Sequence, residues 1–342
     1  MRNALVEQLR QLAREDARIF LLTADLGWSV VEAFAREFPD RFLNVGVAEQ
    51  NMAGIATGLA MVGYRPFIYS IANFAALRCY EQIRNGPVLH RLPVCVVGIG
   101  GGYAYGAAGP SHHALEDLGA LRALPGMRVV APADPAQTRA VVASVLKQED
   151  PVYLRVGKGG NATVPGLEGR FSWNEPAMVR EGTDILILAT GAMAVEACAA
   201  AEQLASHQIC AAVGVMAHLP AEATSELVEV LSRYRVVLTA EEGTLTGGLS
   251  SLVGQAIARE GIPCRMVSAG VSGRLAGPVG SRGHMLARQG LDPASLADKA
   301  LRNLKPARAL AAQALDSGTP AGRAFIRHAP AGTSPATPRT SA

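Results

Sequence analysis

Over the first 165 positions, apolar residues follow two alternating patterns. Runs such as IFLLT, PFIYSI, PVCVVGI, MRVVAP and PVYLRV have little polar interruption. The stretches between them carry apolar residues at three- and four-residue steps. Runs of the first kind read as buried strands, and the second kind as amphipathic helices. Such alternation predicts a parallel, doubly wound sheet, with ligands at the carboxyl ends of its strands. Glu49, Gly100 to Gly102 and Asp134 fall at those ends. The alternation restarts after residue 180, with DILILATG, CAAVGVMA, RVVLTAEE and PCRMVSAG as strands. AVEACAAAEQLA and GGLSSLVGQAIARE read there as helices. The fold class expected is therefore α/β, with two doubly wound domains: 1–165 and a smaller one over 181–305. Glycine, proline and polar residues mark 166–180 as a linker. From 306 to 342 the composition shifts to proline, threonine and alanine, which reads as a disordered tail.

One charge breaks the pattern. In FLNVGVAEQNMAGIATGLAMVGYRP, FLNVGV reads as a short buried strand ending in glycine. Met52, Ile55, Leu59 and Val62 then form the stripe of a helix that closes at Gly63, Arg65 and Pro66. A three-residue step back from Met52 lands on Glu49, so a carboxylate sits on the buried face in the first turn. The positive end of the helix dipole favours a carboxylate there. A carboxylate aimed into a cleft between domains is the alternative, and the spacing alone leaves both open.

Composition narrows the classes. The chain has 342 residues, enough for two domains, and is 49% hydrophobic with few aromatics. Its net charge of +3 is spread without a basic face, which argues against nucleic-acid binding. The five cysteines stand apart with no CxxC pair, as suits reduced thiols and a cytoplasmic location. MRNALVEQLRQLARED is a charged amphipathic helix pattern and no secretory signal. No apolar run approaches a membrane span.

From GVAEQNM onward the chain resembles the transketolase family. The family pattern is a strand, AEQ opening a helix, then glycines and a proline, here GVAEQNMAGIATGLAMVGYRP. An aromatic-bearing strand and helix follow, here YSIANFAALRCYEQIRN. Next come a glycine-rich loop with G-P-T-H-Q, here GGGYAYGAAGPSHHALEDL, and a closing PGMRVVAPAD. The second block resembles the family's C-terminal domain through a strand ending in TG and through EEGTLTGG. The resemblance covers about residues 5 to 305. It implies a pyrimidine-binding domain followed by a transketolase C-terminal domain.

The resemblance also implies roles. Glu49 corresponds to the glutamate that hydrogen-bonds a ring nitrogen of the aminopyrimidine of thiamin diphosphate and so activates the cofactor. Phe74 matches the aromatic that packs on that ring; its other reading is ordinary core. His112 matches the histidine that reaches the substrate, with Ser111 and His113 standing for the family's threonine and glutamine. A surface histidine is the alternative, and the role of His113 is open. Glu116 and Asp117 either anchor the loop or start the next helix. Asp25 in LTADL matches an acid near the cofactor and subunit interface, or caps a helix. Arg155 lies where the family places an arginine for the substrate phosphate, with Lys158 beside it; a surface ion pair is nearly as good a reading.

Full-length transketolases carry a preceding domain with a GDG motif for magnesium and the diphosphate, and this sequence has no GDG. The expectation is thus a C-terminal subunit of a split transketolase. An N-terminal partner subunit would supply the diphosphate site and Mg2+, in an α2β2 heterotetramer acting on sugars or sugar phosphates. Alternatives are the β subunit of a 2-oxo-acid dehydrogenase decarboxylase component, a 1-deoxyxylulose-5-phosphate synthase-like enzyme, and a catalytically silent scaffolding partner.

Overall fold

The structure is a computed structural model that describes residues 1–159, 162–273 and 277–316, with 305–316 as backbone only. The chain divides into two compact units, Met1–Leu304 and Lys305–Ala342. The first unit contains both sheets.

The first half runs α1 (Arg2–Glu15), β1 (Ile19–Thr23), α2 (Glu32–Glu37), β2 (Phe42–Asn44), α3 (Glu49–Met61) and β3 (Arg65–Ile71). A π-helical turn (Phe74–Arg78), α4 (Tyr80–Ile83) and a second π-helical turn (Arg84–Val88) follow. Then come β4 (Cys95–Ile99), α5 (Asp117–Arg122), β5 (Arg128–Val130), α6 (Pro135–Val145) and β6 (Val152–Val156). The six strands form one parallel sheet in the order β2-β1-β3-β4-β6-β5. Its central strands β3, β4 and β6 are buried along their whole length, as continuous apolar runs require. Leu5, Leu9, Val141 and Val145 from α1 and α6 pack with Leu21, Phe67 and Val97 in one apolar cluster. Met52, Ala53 and Ala56 from α3 and Leu118 from α5 belong to a second.

The second half holds β7 (Ala177–Arg180), β8 (Ile185–Ala189), α7 (Met193–Ser206), β9 (Ala211–Val215) and α8 (Ser225–Ser232). It continues with β10 (Val236–Thr244), α9 (Leu249–Glu260), β11 (Arg265–Val271), α10 (Arg282–Gln289) and α11 (Pro293–Asp316). Its sheet order is β11-β10-β8-β9-β7, parallel except for β7. The doubly wound α/β expectation holds for both halves. The second cluster of the first half continues through Leu186, Leu188, Leu219 and Leu252, so the halves share a core. Arg122 of α5 adds polar ties, donating to the carbonyls of Pro220, Ala221 and Gly247 at 2.7 to 3.0 Å. Glu241 caps α9 by accepting from the Leu249 and Ser250 amides at 2.9 and 2.8 Å.

Three local readings change. FLNVGV is not a buried strand: β2 is the sheet edge, and Leu43 and Val47 are exposed. The buried face of α3 is Glu49, Met52, Ala53, Ala56 and Ala60, so Val62 lies outside, 73% exposed. Beyond Met52, small residues make the close contact, and Ile55 and Leu59 of the expected stripe are only partly buried. The expected linker 166–180 contains β7 and packs well: Leu167 is buried, and the Trp173 indole N–H donates to Ser144 Oγ at 2.7 Å. Of the tail expected from 306 onward, α11 occupies the backbone to Asp316, and 317–342 lie outside the described residues.

The same region carries a pH dependence. His218 donates from Nδ1 to the Trp173 carbonyl at 2.6 Å, and burial lowers its pKa to about 4. The folded chain holds this imidazole neutral, whereas the unfolded chain binds a proton near pH 6.5. Stability should therefore fall as pH drops from about 6.5 toward 4, by up to roughly 3 kcal/mol. Melting temperatures between pH 7 and 4.5 should show that slope, and His218→Gln should flatten it.

Candidate active site

The carboxyl ends of β2, β3 and β4 meet on one edge of the first sheet. After β2 the chain turns through Gly46 at φ +73°, and Glu49 opens α3. Glu49 is 2% exposed yet polar neighbours reach it. Ser70, near the end of β3, donates from Oγ to Glu49 Oε1 at 3.2 Å. Arg78 donates from Nη1 to Oε2 at 2.7 Å. The residue starts a helix, as the dipole reading has it, and its carboxylate is buried.

The π-helical turn after β3 sets the neighbours. Phe74 opens it and Arg78 closes it, which places the Arg78 guanidinium carbon 4.2 Å from the Phe74 ring centre. His112 meets the same phenyl ring edge-to-face at 5.3 Å between centroids. Asn73 ties the two segments, donating from Nδ2 to the Ser111 carbonyl at 2.8 Å. Ser111 Oγ lies 3.0 Å from His112 Nδ1. Glu49, Arg78, Phe74 and His112 thus form one chain of contacts. Cys79 lies beside them, and burial together with the Glu49 charge pushes its thiol up to about 12, so it stays protonated.

The loop carrying His112 is clamped from both halves of the chain. Gly100 and Gly102 have φ of +77° and +65°, a region that favours glycine. A Cβ on Gly101 would stand 1.8 Å from Arg155 Nε, so only glycine lets the loop lie against that side chain. The Tyr103 amide donates to Glu242 Oε1 at 2.7 Å, and Arg282 grips the same carboxylate with Nε and Nη2. His113 is buried and donates from Nε2 to the Gly106 carbonyl of its own loop at 2.9 Å.

Arg155 is not the surface ion pair of its alternative reading. It is 8% exposed, and Nη2 donates to the carbonyls of Ala114 and Glu242 at 2.8 and 2.7 Å. Its Nε lies 3.4 Å from Asp117 Oδ2. It is a buried clamp, not a surface pair and not a guanidinium held out toward solvent. Asp117 begins α5, as one of its readings had it, and accepts from the hydroxyl of Tyr153 on β6 at 2.5 Å. Lys158 is exposed, with Nζ 4.0 Å from the Tyr105 ring centre. Asp25 stands apart, in the left-handed region at φ +54°. It exchanges hydrogen bonds with Asn44 and lines a pocket of about 390 Å³ with Trp28 and Phe42. It caps no helix, since Val31 precedes α2.

The family model for the transketolase pyrimidine binding domain matches residues 1–161, and that for the transketolase C-terminal domain matches 175–296. A 6-deoxy-6-sulfo-D-fructose transketolase subunit of Clostridium sp. is 36% identical over 78% of this chain and 84% of its own. The chain belongs to the transketolase family. An apulose-4-phosphate transketolase subunit of Phocaeicola vulgatus is 33% identical over 78% of this chain and 86% of that protein. A solved structure described as a split gene transketolase, inactive beta4 tetramer, is 36% identical. The match covers 89% of this chain and 97% of that one, with a TM-score of 0.79.

The family depends on thiamin diphosphate, and the contact chain around Glu49 suits the aminopyrimidine end of that cofactor. A buried carboxylate lies beside an aromatic face, and its Oε2 is held only by a side chain that is 42% exposed. Among the described residues no group of three or more His, Cys, Asp or Glu is placed to hold a metal ion. No helix among them is long and apolar enough to cross a membrane. Sequence reasoning missed Ser70 and Arg78. Their signal was faint: a polar residue closing an apolar strand, and a cation four positions after the phenylalanine.

Proposed function

We propose that this chain is the C-terminal (β) subunit of a split, cytoplasmic transketolase that moves a two-carbon ketol unit from a ketose or ketose phosphate to an aldose. The observation that carries the reading is the buried Glu49 carboxylate at a helix start, in contact through Arg78 with Phe74 and His112. Thiamin diphosphate, when bound, supplies the nucleophilic carbon and the electron sink for carbon–carbon cleavage. Glu49 shares a proton with a ring nitrogen of the aminopyrimidine. Phe74 offers that ring a stacking face. His112, on the clamped loop, exchanges protons with the donor's oxygens. Asp25 faces the subunit interface. Arg155 acts on the substrate by fixing the loop rather than by binding phosphate.

The partner subunit supplies the diphosphate cradle and Mg2+, in an α2β2 assembly. Val47 and Leu77, 75% and 38% exposed and two and three residues from Glu49 and Phe74, suit burial against that second chain. Relatives named as transketolase subunits favour this reading over a decarboxylase β subunit or a deoxyxylulose-phosphate synthase. The test is reconstitution with the matching N-terminal subunit, thiamin diphosphate, Mg2+ and a ketose phosphate donor. Two-carbon transfer is expected from the mixture and from neither chain alone. A mixture that assembles yet transfers nothing would refute the reading.

A further inference from the structure

We propose that Arg78 is a built-in stand-in for the aminopyrimidine: its guanidinium fills the ring's seat until the cofactor displaces it. The proposal rests on the reading of Glu49 and Phe74 as that seat. Two independent contacts carry it. The guanidinium hydrogen-bonds Glu49 Oε2 at 2.7 Å and lies over the Phe74 ring at 4.2 Å. Those are the two interactions through which an aminopyrimidine would be held, a hydrogen bond to the carboxylate and a stack on the phenyl face.

The chemistry of the side chain fits the task. Guanidinium is planar, delocalised and rich in in-plane donors, so it stacks on aromatic faces and bonds carboxylates at once. Glu49 is 2% exposed, and a buried carboxylate without a counter-group is unfavourable. Ser70 alone offers it one hydroxyl at 3.2 Å. Arg78 therefore makes the cofactor-free seat tolerable. It is also able to leave, because its side chain is 42% exposed and the described contacts give it no anchor beyond Glu49 and Phe74. The π-helical turn from Phe74 to Arg78 sets the two side chains against each other. Entry of the ring then requires the guanidinium to swing out, and the apparent affinity for the cofactor is reduced by the fraction of molecules in which the seat is filled.

The experiment measures thiamin diphosphate binding to the assembled two-subunit protein by calorimetry at saturating Mg2+. Arg78→Met keeps the stem and removes the plane and charge. It should tighten binding by about fivefold, the scale of a half-exposed ion pair. The isolated chain carrying Arg78→Met should melt at a lower temperature than wild type, and that drop should shrink on a Glu49→Gln background, where no buried charge is left unpaired. Arg78→Lys, which keeps charge without the plane, should bind with intermediate affinity. Weakened or unchanged binding in Arg78→Met would overturn the stand-in. If Glu49→Gln retained full two-carbon transfer, the seat itself would be misplaced, and the proposal would fall with it. Loss of transfer in Glu49→Gln beside weaker binding in Arg78→Met would overturn the stand-in alone.

Discussion

Glu49→Gln in the assembled enzyme is expected to lower two-carbon transfer by about 10²- to 10⁴-fold, the usual worth of a positioned acid–base group. Glutamine has nearly the shape of glutamate, so it fits the site at the start of α3. Its amide oxygen can still accept from Arg78, which reaches Glu49 Oε2 at 2.7 Å, while its amide nitrogen takes the place of Oε1 and can donate to the Ser70 hydroxyl. What it loses is the ability to hold and share a proton. The loss should fall on kcat and leave KM for the donor nearly unchanged, because the role proposed for the buried Glu49 is a contact with the cofactor and not with the sugar. Steady-state kinetics with a saturating cofactor and unchanged assembly by light scattering make the comparison clean. A decrease of less than tenfold would remove Glu49 from the chemistry and return it to the helix-dipole role.

Arg155→Met should be the most damaging single change to stability, costing about 3–5 kcal/mol and lowering the melting temperature by roughly 10 °C. Arg155 is 8% exposed and Asp117, on its Nε side, is fully buried. Asp117 Oδ1 already has no hydrogen-bond partner, so removal of the guanidinium leaves a buried carboxylate with only the Tyr153 hydroxyl. The carbonyls of Ala114 and Glu242 lose their donor at the same time. Because those carbonyls flank the loop with His112, activity should fall with stability. The phosphate-binding expectation differs: a stable variant with raised KM for phosphorylated donors only. Thermal melts beside KM for phosphorylated and unphosphorylated ketoses separate the two.

The sheets were legible because a parallel strand buried on both faces must be apolar throughout, as in Phe67 to Ile71 and Cys95 to Ile99. Register, edges and small-residue contacts were not. FLN reads like a core strand, yet its place at the sheet edge leaves Leu43 and Asn44 exposed. Helix α3 packs through Ala53, Ala56 and Ala60, and alanine carries little weight in a hydrophobic stripe. β7 pairs antiparallel with β9 from inside a stretch whose glycines and prolines suggested a linker.

The site divides along the same line. Glu49 stood out because a charge on a buried face has to be explained. Phe74 and His112 were found through the resemblance to the transketolase family, and the structure places both in contact with each other. Asp25 lies off that cluster, and Arg155 faces the interior. A cation such as Arg78 in a mixed helical stretch gives no periodic signal, and only the folded backbone brings it back over Phe74. Nor could spacing reveal that His113 bonds its own loop.

The central claim is that this chain holds one end of a thiamin diphosphate whose other end belongs to a second chain. Titration of thiamin diphosphate with Mg2+ into each subunit alone and into their mixture tests it most directly. Saturable binding by the mixture, with a stoichiometry of one cofactor for each copy of this chain and none with this chain alone, is the expected result. Tight, magnesium-dependent binding to the isolated chain would contradict the account, because the whole site would then lie within this one chain.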